Sequence, residues 1–374
     1  MSVLKDFVNK NKTQIQEDLI NVVKAESPTH DKKLVDECGI LLIDLFKERL
    51  GADPYVHVQV ERGNHLCFTI GKGSKKILIL GHFDTVWEKG QLPIRIKDEK
   101  FYGPGVLDMK AGIIQSMWGV KALWDNDLLH DKEITFLLTS DEEVGSGTSR
   151  EIIEERAKEN DAVLVMETPD SGTGAAKTGR KGVGNYKLKI KGKSSHSGAH
   201  HEEGISAIKE LAQQIILLEN MTDYEKGTTV NTGVISGGRR SNIVPDYAEA
   251  TVDLRVKTME EAYRMGQLLT TLKPFTPGIE LEVEGGMNRP PMERTETNVE
   301  LFHKAREAAL ETGFQLEESQ VGGASDGNFT AALGVPTLDG LGVPGEGPHA
   351  EYEHILINEL PGRTEFIANF IKKL

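Results

Sequence analysis

A histidine and an aspartate, His82 and Asp84, stand one residue apart directly after an apolar run. Residues 77–80 are all apolar and do not alternate with polar ones, which predicts a strand buried on both faces of a mostly parallel sheet. Ligands bind at the carboxyl ends of such strands, and a carboxylate beside an imidazole can orient the ring toward a metal ion. The pair therefore indicates a metal site, and a strand-end histidine in a polar turn is the alternative interpretation.

Two further apolar runs end in acidic residues. Asp141, Glu142 and Glu143 follow residues 134–139, and Glu167 follows residues 162–166. Because the carboxyl ends of parallel strands meet at one edge of a sheet, we expect these carboxylates to lie near His82. Three consecutive acids are also typical of a solvated face or of the first turn of a helix, so that alternative stays open for residues 141–143.

Asp108 follows a turn rich in glycine and proline and precedes a predicted helix over residues 111–123. An aspartate in that position can cap the helix, a contribution of about 1 kcal/mol. The glycines only weakly suggest a phosphate loop, because the stretch lacks both the GxGxxG pattern and a correctly spaced Walker lysine. Asp108 is therefore either a helix cap or a further carboxylate at the metal site.

Two histidines, one aspartate and two glutamates on the strand ends and loops of one domain suit a pair of divalent ions. Imidazole and carboxylate groups are good ligands for Zn²⁺, and such a mixed nitrogen and oxygen set also accepts Mn²⁺ or Co²⁺. When two ions lie about 3.5–4 Å apart, one carboxylate can bridge them and a shared water can be activated.

Length, charge and cysteine content narrow the class of protein. The chain has 374 residues, which suits two domains, and its net charge of −14 would repel a nucleic acid, although an acidic surface also serves solubility. Cys38 and Cys67 lie among apolar residues and are predicted to be free buried thiols. No apolar segment suits a signal sequence or a membrane span, so we expect a cytoplasmic protein with no membrane partner.

The elements up to residue 178 and after residue 289 follow an α/β pattern. Helices are predicted over residues 3–23, 34–50, 111–123, 149–158, 299–312, from 327 to 332 and from 360 onward. Strands are predicted over residues 55–60, 66–70, 77–80, 134–139, 162–166, 314–318 and 335–338, with a loop or short hairpin over 91–100.

Residues 179–289 have a different pattern, because apolar and polar residues alternate along their strands. The order strand-helix-strand-strand-helix-strand predicts a ferredoxin-like unit, an antiparallel sheet with two helices on one face. We therefore predict an α/β domain with a mostly parallel sheet in two parts, 1–178 and 290–374, and an inserted α+β domain at 179–289. From the short linkers we expect hinge motion between them.

Seven short motifs occur in order over almost the whole chain and together resemble the M20 family of dizinc metallopeptidases. The resemblance is greatest to the carboxypeptidase G2-like (glutamate carboxypeptidase) branch. Each motif is weak alone, and their order on the expected elements makes the signal strong. The motifs are residues 81–86, 103–108, 141–146, 166–167, 195–198, 241–245 and 347–349.

The resemblance implies a zinc-peptidase catalytic domain with a lid or dimerisation domain inserted, and a set of metal ligands. His82 and Glu167 would ligate one ion. Glu143 and His349 would ligate the other, and Asp108 would bridge both. The ions would be two divalent metals, with Zn²⁺ expected first and Co²⁺ or Mn²⁺ as alternatives.

Other residues of the larger domain receive supporting roles from the same resemblance. Glu142 would be the general base, which takes a proton from the water and passes it to the leaving amine. Asp84 would orient His82, and the Asp108–Met109 peptide bond would be cis. Asp141 is interpreted as a helix cap.

In the inserted domain, the resemblance implies that His196 helps to stabilise the oxyanion, in dimers often from the partner subunit. Asn242 and Arg289 match positions that hold the substrate's carboxylate, a role that suits an arginine. A turn residue and a surface charge are the respective alternatives. Arg255 is expected to be structural, and Asp326, in the larger domain, is expected to be a helix cap.

We therefore expect a metal-dependent hydrolase that releases a C-terminal amino acid, with glutamate as a candidate, from a small peptide or an N-acyl amino acid. An N-acyl-amino-acid deacylase (aminoacylase) or a di- or tripeptidase of the same family is the alternative. A binding or scaffold protein that kept the fold and lost the chemistry is a different class, and the presence of Glu142 argues against it. A homodimer through the lid domain is also implied by the resemblance.

Overall fold

The computed structural model describes residues 2–374, and their contacts divide them into two compact units. The larger unit runs to Gly179 and also contains Arg294–Val321 and Ser325–Leu374. The smaller unit contains Arg180–Glu293 and Gly322–Ala324. The larger unit is therefore assembled from segments on both sides of the smaller one.

Helices and strands alternate along the described chain. The helices are α1 (Val3–Lys24), α2 (Lys32–Leu50), α3 (Ala111–Asp125), α4 (Arg150–Lys158), α5 (Ala207–Glu219), α6 (Met259–Thr270), α7 (Glu296–Thr312), α8 (Gly327–Ala332) and α9 (Leu360–Lys373). The strands are β1 (Tyr55–His57), β2 (His65–Gly71), β3 (Lys75–His82), β4 (Arg95–Lys97), β5 (Lys100–Tyr102), β6 (Lys132–Thr139), β7 (Ala162–Val165), β8 (Ala176–Arg180), β9 (Gly182–Lys191), β10 (Thr229–Gly237), β11 (Tyr247–Val256), β12 (Glu280–Arg289), β13 (Glu318–Val321), β14 (Thr337–Leu338), β15 (Gly345–Glu346) and β16 (His354–Leu356).

A six-stranded sheet in the order β1-β2-β6-β3-β7-β14 forms the centre of the larger unit. Strand β3 pairs in parallel with β6 and β7, and β7 pairs in parallel with β14. Strands β1 and β2 add an antiparallel edge. The apolar residues of β3, β6 and β7 are buried on both faces of the sheet, which explains why their sequences do not alternate. The prediction of a mostly parallel sheet is confirmed.

Helices cover this sheet with apolar side chains, and their ends carry the expected signals. Gly51 ends α2 in the left-handed conformation, with φ of 65°, as its position after the amphipathic segment predicted. Trp118 of α3 is buried and donates its indole N–H to Asp18 of α1 at 2.9 Å. Helix α9 packs against α1, α3 and α7, so α1 and α9, which are far apart in sequence, belong to the same core.

Three strand predictions in the larger unit are corrected by the structure. The strand expected over 314–318 is wrong, because Leu316 is buried in the core as part of a loop and the strand β13 follows it. The strand expected over 55–60 ends at His57, and Val58 and Val60 are exposed. The strand expected over 335–338 is only the two-residue β14. Residues 91–100, by contrast, lead into the β4-β5 hairpin, as expected.

The smaller unit is ferredoxin-like, as the alternation predicted, with a four-stranded antiparallel sheet in the order β10-β11-β9-β12. One face of the sheet packs against both helices: Tyr186 and Leu188 contact the α6 side, and Ile190 packs with Leu211 of α5. The other face is charged, with Lys189 among its residues. This division of faces follows from the period of two in strands β9 and β11.

Both cysteines are free and buried, which confirms that prediction for Cys38 and Cys67. Within residues 2–374, no helix combines the length and the apolar character that a membrane span requires.

Candidate metal centre

Strands β3, β6 and β7 run in parallel, so the functional side chains at or after their carboxyl ends lie at one edge of the central sheet. His82 is the last residue of β3 and lies opposite Thr139, the last residue of β6. A short helical turn, Glu142–Val144, follows β6, and Glu167 follows β7 two residues after its end. The predicted meeting of these side chains at one edge is observed, because ligand atoms of His82, Glu142 and Glu167 lie within 4.8 Å of one another.

Asp108 lies between two histidines and presents a different carboxylate oxygen to each. Its Oδ1 is 3.2 Å from Nε2 of His82, and its Oδ2 is 3.4 Å from Nε2 of His349. Each histidine also faces a glutamate: His82 Nε2 is 3.4 Å from Glu167 Oε1, and His349 Nε2 is 3.0 Å from Glu143 Oε2. The five side chains therefore form two histidine–glutamate pairs that share one aspartate.

The turn that carries Asp108 explains its orientation. Gly105 has φ of 68°, and a Cβ on it would lie 2.4 Å from the Thr85 side chain, so glycine is required there. The Asp108–Met109 peptide bond is cis, as the resemblance implied. Helix α3 begins at Ala111 and has no side-chain cap, so the interpretation of Asp108 as a helix cap is wrong.

The orientation of the His82 ring is set by contacts of its Nδ1 atom with the main-chain and side-chain oxygens of Asp84. Its Nδ1 lies 3.1 Å from the carbonyl oxygen of Asp84 and 3.4 Å from the Asp84 carboxylate. Since Nδ1–H donates to these acceptors, Nε2 is the nitrogen with a free lone pair for a metal ion, and it faces Asp108 and Glu167.

The Asp84 carboxylate also has a second task that the sequence did not indicate. It accepts hydrogen bonds from the backbone N–H groups of Glu142 and Glu143, both at 3.3 Å, and from Thr29 Oγ1 at 2.8 Å. One buried carboxylate therefore positions the two adjacent glutamates as well as lying beside His82. Thr29 belongs to the segment after α1, and nothing in its local sequence marks it.

Glu353 is a second residue that sequence analysis missed. It is 1% exposed, and its carboxylate accepts hydrogen bonds from Trp87, Gly105, Leu107 and Asp108. Burial and the nearby Asp108 charge raise the pKa of Glu353 to about 7, whereas these donors act to lower it. The only feature of the sequence that could have indicated Glu353 is its position four residues after His349, a candidate ligand.

The concentration of carboxylates changes the proton affinity of the centre. Hydrogen bonds to Asp108 and Glu143 raise the pKa of His349 to about 11. Burial alone would lower the pKa of His82, but its hydrogen bonds to Asp108, Asp84 and Glu167 raise it well above the usual value. Burial also raises the pKa of Glu143. The group of acids thus stabilises positive charge at its centre, which a divalent cation supplies.

The donor set fits a pair of divalent ions. Two imidazole nitrogens and three carboxylates converge; the His349 side chain is 54% exposed, and each of the other four is at most 14% exposed. Asp108, with one oxygen toward each histidine, is placed as a bridging ligand would be. No cysteine takes part, which favours Zn²⁺, Mn²⁺ or Co²⁺ over softer metals.

Two acids expected to cap helices have other contacts. Asp141 accepts hydrogen bonds from Thr148, through both N–H and Oγ1, and from Ser149 Oγ, so it ties the loop before α4 to the end of β6. Asp326 stands at the start of α8 without a side-chain cap, and it accepts from Thr139 Oγ1 and Ser146 Oγ. Asp326 is thus the N-cap residue of α8, as expected, but its side chain makes no capping hydrogen bond.

Three expected site residues lie in the smaller unit. His196 is exposed, and its Nδ1 accepts the N–H groups of Gly198 and Ala199 at 3.2 and 3.1 Å, so its Nε2–H is the available donor. Asn242 is exposed in a turn. Arg289 is only 7% exposed, so the alternative of a surface charge is wrong. Arg255 pairs with Asp253 through both Nε and Nη2, as a structural residue would.

A mostly parallel sheet whose strand ends gather two histidine–glutamate pairs around one aspartate defines the class of dinuclear metallohydrolases. The chain belongs to Peptidase family M20/M25/M40, which residues 78–373 match, and the expected family is thereby confirmed. It is a hydrolase of peptide or amide bonds.

Known relatives carry several activities. The chain is 32% identical over 319 residues to carboxypeptidase G2 of Pseudomonas sp. (strain RS-16), which covers 81% of this chain and 75% of that protein. It is 29% identical over 327 residues to succinyl-diaminopimelate desuccinylase of Acinetobacter baumannii (strain AYE), which covers 83% and 84%. The crystal structure of aminopeptidase PepT from Bacillus cereus ATCC 10987 shares the fold, with a TM-score of 0.80 at 23% identity over 97% of this chain and 98% of that one.

Proposed function

We propose that this protein is a metal-dependent carboxypeptidase that releases a C-terminal amino acid, glutamate first among the candidates, from a small peptide or an N-acyl amino acid. The observation that carries the hydrolytic chemistry is Asp108, whose two oxygens each face one histidine–glutamate pair. The substrate class is supported by the 32% identity to a carboxypeptidase.

His82 and Glu167 would hold one divalent ion, Glu143 and His349 would hold the other, and Asp108 would be the ligand shared by both. Zn²⁺ is the metal that this donor set favours. Bound there, two such ions would supply Lewis-acid polarisation of the scissile carbonyl and would lower the pKa of a bound water. Glu142 is next to the ligand Glu143, and its carboxylate lies within 4.8 Å of ligand atoms of His82 and Glu167.

Glu142 acts as the general base in this scheme. It removes a proton from the attacking water and returns that proton to the leaving amine nitrogen, so it is restored after each turnover. The Asp84 carboxylate holds the Glu142 N–H, which keeps the base beside its metal-binding neighbour. Asp84 also orients His82 for the metal.

The smaller unit supplies substrate contacts. His196 donates its Nε2–H to the oxyanion, and Arg289 and Asn242 hold the substrate's terminal carboxylate. A homodimer through this unit, in the cytoplasm, completes the proposal. The β10 edge of its sheet has no strand partner within residues 2–374 and exposes Val234 and Ile235, as a pairing surface would. A sedimentation experiment that finds only the mass of a monomer would contradict the proposed dimer.

A second candidate function is deacylation of an N-acylated amino acid, and the desuccinylase relative supports it. The same centre and the same base serve this reaction, because the bond cleaved is again an amide. The two functions differ in which side of the amide is recognised, so a substrate panel separates them. Di- and tripeptidase activities fall within the same panel.

The test is hydrolysis of N-acyl-glutamate, other N-acyl amino acids, N-succinyl amino acids, dipeptides and tripeptides by purified protein supplied with Zn²⁺, Mn²⁺ or Co²⁺. The Glu142→Gln variant keeps the size of the side chain and removes the base, so its kcat should fall by ~10²–10⁴. Glu351→Gln is the control, because Glu351 is an exposed acid close in sequence to His349.

Release of C-terminal glutamate by the wild type and not by Glu142→Gln supports the proposal. Cleavage of N-succinyl substrates alone, with the same loss in the variant, favours the deacylase. Full activity of Glu142→Gln contradicts the assignment of the base.

A further inference from the structure

One buried carboxylate collects four N–H donors from two segments of the larger unit. Glu353 Oε2 accepts from Trp87 Nε1 at 2.6 Å and from the Gly105 N–H at 3.2 Å. Its Oε1 accepts from the N–H groups of Leu107 and Asp108, at 2.9 and 3.2 Å. Both oxygens are thus used twice, and three of the four donors are backbone groups of the turn that carries Asp108.

Only a side chain that accepts on both of its terminal atoms can satisfy this arrangement. A glutamine has the same shape, but one terminal atom is an NH₂ group, which would face two N–H donors. Two donors would then remain without an acceptor in a site that is 1% exposed. The structure therefore requires a carboxylate at position 353 and not merely a polar side chain of the same size.

The same residue is tied to the segment of the other candidate ligand. Glu353 donates its own N–H to the carbonyl of Ala350 at 2.8 Å, and Ala350 donates to the carbonyl of Gly347 at 2.9 Å. These two bonds enclose His349 in a compact turn. Glu353 consequently joins the turn of Asp108 to the turn of His349, two segments far apart in sequence.

We propose that Glu353 is a positioning residue that sets Asp108 against His349 and thereby sets the affinity of the centre for divalent ions. The inference rests on the proposed function, because it requires Asp108 and His349 to be ligands. Glu353 does not touch substrate or water in this scheme. Its effect passes through the main chain of Asp108, the residue that would be shared by the two ions.

The experiment measures Zn²⁺ binding to metal-free wild-type protein, Glu353→Gln and the control Glu351→Gln by titration calorimetry. We expect two ions to bind the wild type and the control equally well. For Glu353→Gln we expect about 10- to 100-fold weaker binding, the usual loss for a group that orients a ligand. With saturating Zn²⁺, kcat should fall and KM should stay near the wild-type value, since the substrate contacts are unchanged.

A merely structural role for Glu353 would give a different result. It would lower the urea midpoint of the metal-free protein and leave the Zn²⁺ affinity of the folded variant unchanged, and that outcome overturns the proposal. Equal Zn²⁺ affinity in Glu353→Gln and Glu351→Gln also overturns it. A wild type that binds none of Zn²⁺, Mn²⁺ or Co²⁺ would instead overturn the proposed function on which the inference rests.

Glu353→Asp provides the second variant, should the glutamine variant fail to fold. It keeps a carboxylate and shortens the side chain by about 1.5 Å, so it reaches one pair of donors and not both. We expect a Zn²⁺ affinity between those of the wild type and Glu353→Gln, as a partial rescue. Wild-type affinity in Glu353→Asp would contradict the requirement for all four hydrogen bonds.

Discussion

The two units hold their chemically important residues in different ways. In the larger unit, Asp84 and Glu353 are buried carboxylates whose hydrogen bonds come mostly from backbone N–H groups of the segments that carry the ligands. In the smaller unit, His196 and Asn242 are exposed. The ligands of the proposed metal centre are thus held by buried carboxylates, whereas two of the three proposed substrate-binding residues, His196 and Asn242, lie at the surface.

The largest effect expected from this comparison comes from the exposed histidine. His196→Ala removes the proposed oxyanion donor, so kcat should fall by ~10²–10³. The Zn²⁺ affinity measured by calorimetry should not change, because His196 is not a ligand. His200→Ala, an exposed histidine of the same loop, should retain wild-type kcat. Loss of Zn²⁺ binding in His196→Ala would contradict the proposal that the metal ligands belong to the larger unit and the substrate contacts to the smaller one.

A smaller effect is expected at the buried acid that orders the glutamates. Asp84→Asn places an NH₂ group against the N–H of Glu142 or Glu143 and should weaken Zn²⁺ binding by about 10- to 100-fold. Asp161→Asn is the matched control, because Asp161 also accepts a backbone N–H, that of Lys76, in an exposed position. Unchanged Zn²⁺ affinity in Asp84→Asn would show that the ligands need no such support.

The smallest effect is expected for a buried acid of the smaller unit whose hydrogen-bond donors are side chains. Glu261 accepts hydrogen bonds from Arg264 at 2.7 and 2.8 Å and from Thr228, and the Arg264 hydrogen bonds above all lower its pKa from 4.5 to about 2. Lys226 also lies 3.8 Å away. Glu261→Gln should lower the free energy of unfolding at pH 7 by about 1–2 kcal/mol, measured in urea.

The pH dependence of that difference has a definite sign. Because the folded pKa of Glu261 lies below the unfolded value, its stabilisation is complete above about pH 4.5 and is lost as the pH falls toward 2. The wild type and Glu261→Gln should therefore become more alike in stability over this interval. Glu260→Gln, at an exposed neighbouring position, should match the wild type throughout. If the wild type and Glu261→Gln still differ in stability at pH 2, the effect of the substitution comes from packing and not from the charge of Glu261.

The sequence predicted the parts of the centre that depend on residue type and strand order. His82 and Glu167 could be placed because apolar runs mark the strands that end beside them. Glu353 and Thr29 could not, because their importance lies in which distant N–H or carboxylate they meet. Phe314 and Leu316 misled the strand prediction, since a loop that follows α7 can bury alternate apolar residues without pairing.

The assembly of the larger unit from two separated segments has a consequence for synthesis of the protein. Strand β14 covers the outer edge of β7, and α9 covers α3, yet both are made only after the whole smaller unit. At typical rates of translation, the edge of β7 therefore waits roughly 10–35 s for its partner. During that interval the nascent chain exposes an apolar strand edge and lacks His349, so a ribosome-bound chain is open to chaperones while its proposed metal centre is still incomplete.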